Sequence, residues 1–134
     1  MAELGHDVVG VDVDEAKVAL LSEGKAPFFE PGLPELLQKV MPTGRLRFTT
    51  DMSEVAGAQV HFVCVGTPQR KGEYAADLRY VDAAADALAP YLRSEDGAVA
   101  KALLDEVYAT PLSAGTPLVT TDYPTAELVK VAAN

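Results

Sequence analysis

Short β-branched runs that alternate with helical patterns limit the possible folds of this chain more than any other feature. The clearest runs are residues 7–12, DVVGVD, and residues 59–65, QVHFVCV. Each run is continuous and apolar enough for a buried strand, and a helical pattern follows the first one directly. Strands that alternate with helices build βαβ units, in which the strands lie parallel. The sequence therefore predicts an α/β fold with a mostly parallel sheet and flanking helices.

Capping and turn residues set the predicted bounds of the other elements. Asp14 is placed to cap the helix after the first run, and Gly24 to end it. Asp51 and Glu54 form a capping box for one helical turn. The remaining predicted elements are strands at 45–50 and 117–121, helices at 33–40, 77–92 and 98–109, a turn at 93–97, a frayed turn at 2–4 closed by Gly5, and a helix that Pro124 opens and that runs to residue 134.

Size and charge argue against several classes of partner. A chain of 134 residues is one domain or part of one. Its net charge of −9 argues against a nucleic acid or an anionic membrane, because phosphates need a basic face. No apolar run has the length of a membrane span, and no signal peptide opens the chain. We therefore expect a cytoplasmic protein with neither nucleic-acid nor membrane partners.

The cysteine and histidine content predicts neither a disulfide nor a metal site. Cys64 is the single cysteine, which fits a reducing compartment. Because it lies inside an apolar run with no obvious activating neighbour, we expect a buried, inert thiol. His6 and His61 provide no metal-ligand cluster with it and are read as structural.

Asp12 ends the first run and is a candidate ribose-binding residue. A carboxylate at the carboxyl end of a parallel strand can accept hydrogen bonds from two adjacent ribose hydroxyls, and it disfavours a 2′-phosphate. This selects NAD over NADP. Lys17 follows one helical turn later and could lie beside the adenosine. Alternatively, Asp12 and Asp14 both cap the helix and Lys17 is a solvated surface residue; methyltransferases that bind adenosylmethionine also place an acid after this strand.

Two further pairs are candidates for binding and catalysis. Gly66 and Thr67 follow the run at 59–65, where a glycine lets a dinucleotide approach the backbone and a hydroxyl can bond it. A plain turn is the alternative. Lys130 and Asn134 lie four residues apart on one predicted helix face, where together they can stabilise an oxyanion. Alternatively, Lys130 pairs with Glu127 on the surface.

Four segments together resemble the NAD-binding portion of the UDP-glucose/GDP-mannose dehydrogenase family, in its UDP-glucose 6-dehydrogenase branch. They occur in the family's order and cover nearly the whole chain. The FFEPGL loop and the GTP…G…DL spacing are its most specific parts. The segments are GHDVVGVDVDEAKV, GKAPFFEPGLPELL, FVCVGTPQRKGEYAADLRYV and LLDEVYATPLSAGTPLVTTDYPTAELVKVAAN.

The resemblance implies a Rossmann-like fold and NAD-dependent oxidation of UDP-glucose to UDP-glucuronate. Asp12, Lys17, Gly66 and Thr67 then contact the cofactor, whereas Lys130 and Asn134 match a lysine and an asparagine at the sugar-oxidising centre. In the family, two hydride transfers convert a primary alcohol to a carboxylate. A cysteine in a separate sugar-nucleotide domain carries the covalent intermediate. The implied partners are a nucleotide-sugar substrate and, in the full-length architecture, a second copy of the chain.

The family pattern is incomplete in this sequence. The first strand with its G-x-G-x-x-G turn and an internal segment near Arg93 are absent, as is the catalytic cysteine of the sugar domain. We therefore assign residues 1–92 to a partial dinucleotide-binding domain containing strands two to four. Residues 93–134 are assigned to its end and the start of a connecting helix. We expect this chain alone to lack dehydrogenase activity and its strand edges to be left unpaired.

Two other functions are compatible with parts of the sequence. An adenosylmethionine-dependent methyltransferase would use VVGVDVDEA as its ribose motif, but it leaves FFEPGL unexplained. A non-catalytic truncated module would pair its open sheet edge with a homologue.

Overall fold

The computed structural model describes residues 1–72, 74–92, 97–119 and 121. In this part of the chain, the sheet consists of two parallel strands, β1 (Val8–Val11) and β2 (Leu46–Thr49). Val8 pairs with Leu46 and Val11 with Thr49. The connection between them contains helices α1 (Glu15–Ser22) and α2 (Leu33–Val40). The predicted βαβ arrangement is therefore confirmed for this half of the chain.

Local capping explains where α1 and α2 begin and end. The Asp14 carboxylate accepts a hydrogen bond from the Lys17 amide at 3.1 Å, which satisfies a free donor of the first turn of α1. Gly24 follows α1 with a φ of 72°, a conformation that favours glycine. Gly32 precedes α2 with a φ of 81°, and Pro34 lies in the first turn of that helix. Both helices were predicted at these positions.

A single 3₁₀ turn, Met52–Val55, follows β2 and uses half of the predicted capping box. The Asp51 carboxylate accepts a hydrogen bond from the Ser53 amide at 2.8 Å. Glu54 instead accepts a hydrogen bond from the Arg47 guanidinium at 2.8 Å. Glu54 was predicted to bond a backbone amide in the capping box, but it pairs with the side chain of Arg47 on β2 instead.

The second half of the described chain is helical. Helix α3 (Arg79–Leu88) ends in a 3₁₀ turn, Ala89–Tyr91, because proline at position 90 cannot continue the helix. Helices α4 (Gly97–Val107) and α5 (Ala109–Ser113) follow. These elements confirm most of the predicted helices at 77–92 and 98–109. Residues 93–96 and the predicted helix from Pro124 lie outside the described residues.

The buried core of the described residues is small. Leu37 and Val40 on α2 and Val55 after β2 are its buried apolar side chains. Gly10 in β1 lies under the ring of Phe48, since a Cβ at Gly10 would come within 2.7 Å of the ring. The Phe48 ring can therefore lie over this position because residue 10 has no side chain.

Two predicted strands do not form. Residues 59–65 and, where described, residues 117–121 have no strand structure. Among the described residues, no backbone hydrogen bond reaches residues 60–65. A strand is stable only when a neighbour satisfies its backbone groups, so an apolar β-branched run without that neighbour stays extended but unpaired.

The environment of Cys64 also differs from the prediction. The thiol is exposed rather than buried. The prediction of a buried thiol assumed a paired strand at 59–65, and residues 59–65 have no strand structure. Among the described residues, none of the helices has both the length and the apolar character that crossing a membrane requires.

Candidate functional site

Asp12 lies directly after β1, at the carboxyl end of the strand. Its amide extends the ladder by donating to the Thr49 carbonyl at 3.2 Å. Its side chain accepts two hydrogen bonds, at Oδ1 from the Asp14 amide at 3.0 Å and at Oδ2 from Lys17 Nζ at 2.7 Å. The hydrogen bond from Lys17, followed by that from the Asp14 amide, lowers the pKa of Asp12. Asp12 is therefore a carboxylate at neutral pH.

The Asp12 carboxylate can accept further hydrogen bonds from a ligand. Each carboxylate oxygen has two lone pairs, and the contacts above use one on each oxygen. The Asp12 side chain is 34% exposed and that of Lys17 is 38% exposed, so both reach solvent at the strand end. An ionised acid with one open lone pair on each oxygen fits the two adjacent hydroxyls of a ribose.

Asp12 and Asp14 have different roles. Asp14 caps α1, and Asp12 does not take part in that cap. Lys17 forms an ion pair with Asp12 instead of extending into solvent. The alternative predicted that Asp14 caps the helix, which the structure confirms, whereas Asp12 and the partly exposed Lys17 pair with each other.

Gly66 and Thr67 lie on an exposed loop after the unpaired segment. The loop is held on its far side, because the Pro68 carbonyl accepts a hydrogen bond from the Asp77 amide at 2.7 Å. An isolated antiparallel bridge between Gln69 and Ala76 closes the following hairpin. The Thr67 hydroxyl is thus carried on a tethered loop.

Asp77 was not identified from the sequence, although it is the buried polar side chain of the described residues, with 7% exposure. Its carboxylate accepts hydrogen bonds from Arg79 Nε at 2.9 Å and from Arg79 Nη2 at 2.5 Å. These bonds lower the pKa of Asp77 to about 2. The signal that could have revealed it is an acid two residues before a helical pattern, next to the family's DL spacing.

A cleft of about 910 Å³ separates β1 from residues 60–65. Asp12 and Val65 both line it, and Gly66 and Thr67 come next in the chain. The structure therefore brings Asp12 and Lys17 into contact. Gly66 and Thr67 follow in sequence the residues 60–65 that line the cleft. Lys130 and Asn134 lie outside the described residues. Among the described residues, no cluster of histidine, cysteine or acidic side chains could hold a metal ion.

The sequence model of the UDP-glucose/GDP-mannose dehydrogenase family, NAD-binding domain, matches residues 1–126. UDP-glucose 6-dehydrogenase of Rhizobium meliloti is 50% identical over 93 residues, which is 69% of this chain and 21% of that protein. GDP-mannose 6-dehydrogenase of Pseudomonas syringae pv. tomato is 44% identical over 94 residues, again 69% of this chain and 21% of that protein. The chain thus spans about a fifth of the length of these relatives.

Solved structures agree with this match. A ternary complex of GDP-mannose dehydrogenase from Pseudomonas aeruginosa superposes with a TM-score of 0.65 at 41% identity, covering 70% of this chain and 22% of that one. A UDP-glucose dehydrogenase from Pyrobaculum islandicum superposes with a TM-score of 0.63 at 44% identity, covering 67% of this chain and 21% of that one. The fold is therefore a partial Rossmann-like domain, as predicted.

The cofactor of the matched domain is NAD, and the ionised, half-exposed Asp12 fits its adenosine ribose. The family acts on nucleotide sugars, and none of these matches supports the methyltransferase alternative. The match ends before Lys130 and Asn134. The chain belongs to the UDP-glucose/GDP-mannose dehydrogenase family, as part of its NAD-binding domain.

Proposed function

We propose that this chain supplies the adenosine-binding side of the NAD site in an enzyme that oxidises UDP-glucose to UDP-glucuronate. The observation that carries the proposal is the ionised carboxylate of Asp12 at the carboxyl end of β1, held by Lys17 with open lone pairs. When bound, NAD would supply the hydride acceptor, and oxidation of a primary alcohol to a carboxylate would require two NAD molecules in turn and one water molecule.

Each predicted residue has a defined task in this proposal. Asp12 accepts hydrogen bonds from the 2′ and 3′ hydroxyls of the adenosine ribose, and Lys17 fixes the rotamer of that carboxylate. Gly66 leaves room for the cofactor, because a Cβ added at this residue would lie 4.0 Å from Cδ of Pro68. Thr67 donates a hydroxyl hydrogen bond to the cofactor. Lys130 and Asn134 bind the sugar and stabilise the oxyanion that forms during oxidation.

UDP-glucose is the proposed substrate rather than GDP-mannose. Identity to the UDP-glucose enzyme of Rhizobium meliloti exceeds identity to the GDP-mannose enzyme of Pseudomonas syringae, 50% against 44% over nearly equal lengths. Over a shorter stretch of 68 residues the order is reversed, because the GDP-mannose 6-dehydrogenase of Pseudomonas savastanoi is 53% identical there; the proposal for UDP-glucose therefore depends on the longer matches. We also propose a cytoplasmic location, a homo-oligomer in the full-length architecture, and a boundary between residues 92 and 93 that separates the partial cofactor domain from its end and connecting helix.

The cofactor part of the proposal is tested by calorimetric titration of the purified 134-residue chain with NAD, NADP and adenosylmethionine. We expect NAD to bind, NADP to bind more weakly because its 2′-phosphate meets the Asp12 carboxylate, and adenosylmethionine to give no heat. Tight adenosylmethionine binding without a response to NAD would contradict the assignment.

We further propose that the chain by itself has no dehydrogenase activity, because it spans about a fifth of the length of its relatives. Mixing the purified chain with NAD and UDP-glucose should leave the absorbance of NADH at its baseline. Steady NADH formation above a reaction without sugar would refute this part of the proposal while leaving the cofactor assignment intact.

A further inference from the structure

A short hairpin joins the Gly66–Thr67 loop to the start of α3. Gln69 and Ala76 form an antiparallel bridge, and a second backbone hydrogen bond of 2.9 Å lies between this bridge and the turn. The turn contains Gly72, which has a φ of 81° that favours glycine. The hairpin therefore brings the chain back to the end of the loop at Asp77.

Asp77 contacts both the loop and the helix. Its amide donates to the Pro68 carbonyl at 2.7 Å, and its Oδ1 accepts a hydrogen bond from the Arg79 amide at 3.2 Å. The second contact is an Asx turn, in which an aspartate bonds the amide two residues on and fixes the direction of the backbone between them. It also satisfies a free amide in the first turn of α3, where the cap residue Leu78 provides no side-chain hydrogen bond. One residue thus connects Pro68 to the start of the helix.

The Arg79 side chain holds the Asp77 carboxylate in one orientation. Arg79 Nε lies 2.9 Å from Oδ1 and 3.1 Å from Oδ2, and Nη2 lies 2.5 Å from Oδ2. The guanidinium approaches from the solvent side, since the Arg79 side chain is 81% exposed whereas Asp77 has 7% exposure. Because a contact through two nitrogens restricts rotation of the carboxylate, Oδ1 stays directed at the Arg79 amide.

The path from Asp77 to the Thr67 hydroxyl is short and stiff. Pro68 directly follows Thr67, and its ring fixes its own φ and restricts the residue before it to extended conformations. Within the described residues, the Pro68 carbonyl is the hydrogen-bonded backbone group nearest to Thr67 in sequence. A displacement of Asp77 therefore reaches Thr67 with few free torsions to absorb it.

We propose that Asp77 is a positioning residue for NAD binding: its carboxylate, held by Arg79, fixes the Pro68 carbonyl and so places the Thr67 hydroxyl for its hydrogen bond to the cofactor. This inference rests on the proposed function, in which Thr67 contacts NAD. Asp77 acts through Thr67 and not by its own contact with the cofactor, because its carboxylate is buried and occupied by Arg79.

Calorimetric titration of the 134-residue chain with NAD tests the inference through a double-mutant cycle. Asp77→Ala should weaken NAD binding on the order of tenfold, the loss expected when one neutral hydrogen bond to the cofactor is no longer made. Thr67→Val, which removes the hydroxyl and keeps the β-branch, should weaken binding by a similar factor. The double variant should lose no more affinity than Thr67→Val alone, because Asp77 acts through this hydroxyl.

Three further variants separate positioning from loss of charge or loss of fold. Asp77→Asn keeps the oxygen that accepts from the Arg79 amide and should retain most of the NAD affinity that Asp77→Ala loses. Asp86→Ala removes an exposed acid from α3 and should leave NAD affinity unchanged. Circular dichroism shows whether each variant is folded at the titration temperature. If Asp77→Ala is not, Arg79→Gln takes its place in the cycle, because it changes an exposed side chain.

A measurement without cofactor keeps this test separate from the proposed function. In hydrogen exchange followed by NMR, the protection factor of the residue-77 amide should fall on the order of tenfold in Asp77→Ala, and the chemical shifts of Gly66 and Thr67 should change. Unchanged protection and shifts would overturn the inference, as would additive losses in the cycle or equal losses in Asp77→Asn and Asp77→Ala. If the unchanged chain does not bind NAD, the proposed function is wrong, and the exchange result still decides whether Asp77 holds the loop.

Discussion

The ion pair of Asp12 and Lys17 keeps a carboxylate charged and oriented at the end of β1. Lys17 reaches it because α1 begins directly after the strand, with Asp14 as its cap. The two acids, separated by one residue, therefore differ in role. Asp14 caps the helix, whereas Asp12 keeps lone pairs that could accept hydrogen bonds from a ligand. Both side chains are partly exposed, and exposed ion pairs contribute little to stability, so we expect this pair to matter more for ligand binding than for folding.

Asp12→Asn should weaken NAD binding by about 10- to 100-fold, since hydrogen bonds to a charged group contribute about 1.5–3 kcal/mol. Preference for NAD over NADP should also decrease, because the carboxylate no longer repels a 2′-phosphate. Calorimetry with both cofactors measures the two effects. Asp14→Asn is the matched control: it removes the same charge one residue further on, while asparagine still caps α1. Equal losses in both variants would argue against a specific role for Asp12.

The ion pair of Asp77 and Arg79 should make stability depend on pH in the acid range. Arg79 lowers the pKa of Asp77 to about 2, below the value of about 3.9 in an unfolded chain. Its stabilising effect is therefore fully present above about pH 5 and is lost as the pH falls through 2. Asp77→Asn should lower the unfolding temperature at pH 7 by a few degrees and flatten its decrease between about pH 5 and 2.

Thermal unfolding followed by circular dichroism across this pH range provides the measurement. Asp86→Asn, an exposed acid on α3, controls for the removal of one negative charge. An acid dependence of Asp77→Asn as steep as that of the control would contradict the assigned role. The pKa values of four other acids are also lowered, so every variant loses some stability in the same acid range. The test is therefore the difference in pH dependence between Asp77→Asn and Asp86→Asn. The four acids are Glu3, Asp12, Glu23 and Asp51.

At the scale of elements, packing of the Phe48 ring of β2 against β1 depends on glycine in the middle of β1. Strand interiors usually disfavour glycine, so its presence in a β-branched run indicates a close neighbour. That neighbour is the ring of Phe48, which covers Gly10 from the adjacent strand. Helix α1 also packs against β2.

Gly10→Ala should destabilise the chain by about 1–3 kcal/mol, because the new methyl group displaces the Phe48 ring from a packed position. Chemical denaturation measures the change in the free energy of unfolding. Gly57→Ala is the matched control, since an added Cβ there has nothing within 4 Å and the backbone has no positive φ. Similar effects in the two variants would show that backbone freedom, and not the ring contact, sets the cost.

At the scale of the whole molecule, a small core has to stabilise a chain with an open cleft. Three apolar side chains of the described residues are buried, while several large ones, including Phe29 and Tyr74, are fully or nearly fully exposed. A domain is normally stable by about 5–15 kcal/mol, so losing one core side chain removes a large share of that margin. Leu37 and Val40 of this core lie on α2, whereas Val55 lies in the turn after β2 and also lines the cleft.

Leu37→Ala should therefore cost about 2–5 kcal/mol and leave much of the chain unfolded at 37 °C. Leu36→Ala is the matched control, because the neighbouring leucine is 39% exposed whereas Leu37 is 3% exposed. Urea denaturation of both variants measures the difference. If the two substitutions cost the same, α2 would not be packed on the core as described.

Local chemistry determined the elements that the sequence predicted correctly. β1, β2, α1 and α2 each have their signals within a few residues: a β-branched run, an acid at the cap, a glycine at a positive φ. The position of Asp12 at the strand end follows from the same signals. Its contact with Lys17 joins residues five apart but was not predicted, because the sequence placed Lys17 beside the adenosine or in solvent.

Only the tertiary structure determined that residues 59–65 form no strand and that Asp77 is buried. The first is the most β-like run in the chain, yet it forms no strand, because a strand requires a neighbour that local propensity cannot supply. The second is a charged residue with 7% exposure, whose carboxylate pairs with Arg79 and whose amide donates to the Pro68 carbonyl. Sequence determines which backbone conformations are favourable, but hydrogen bonds between distant segments exist only after those segments meet in space.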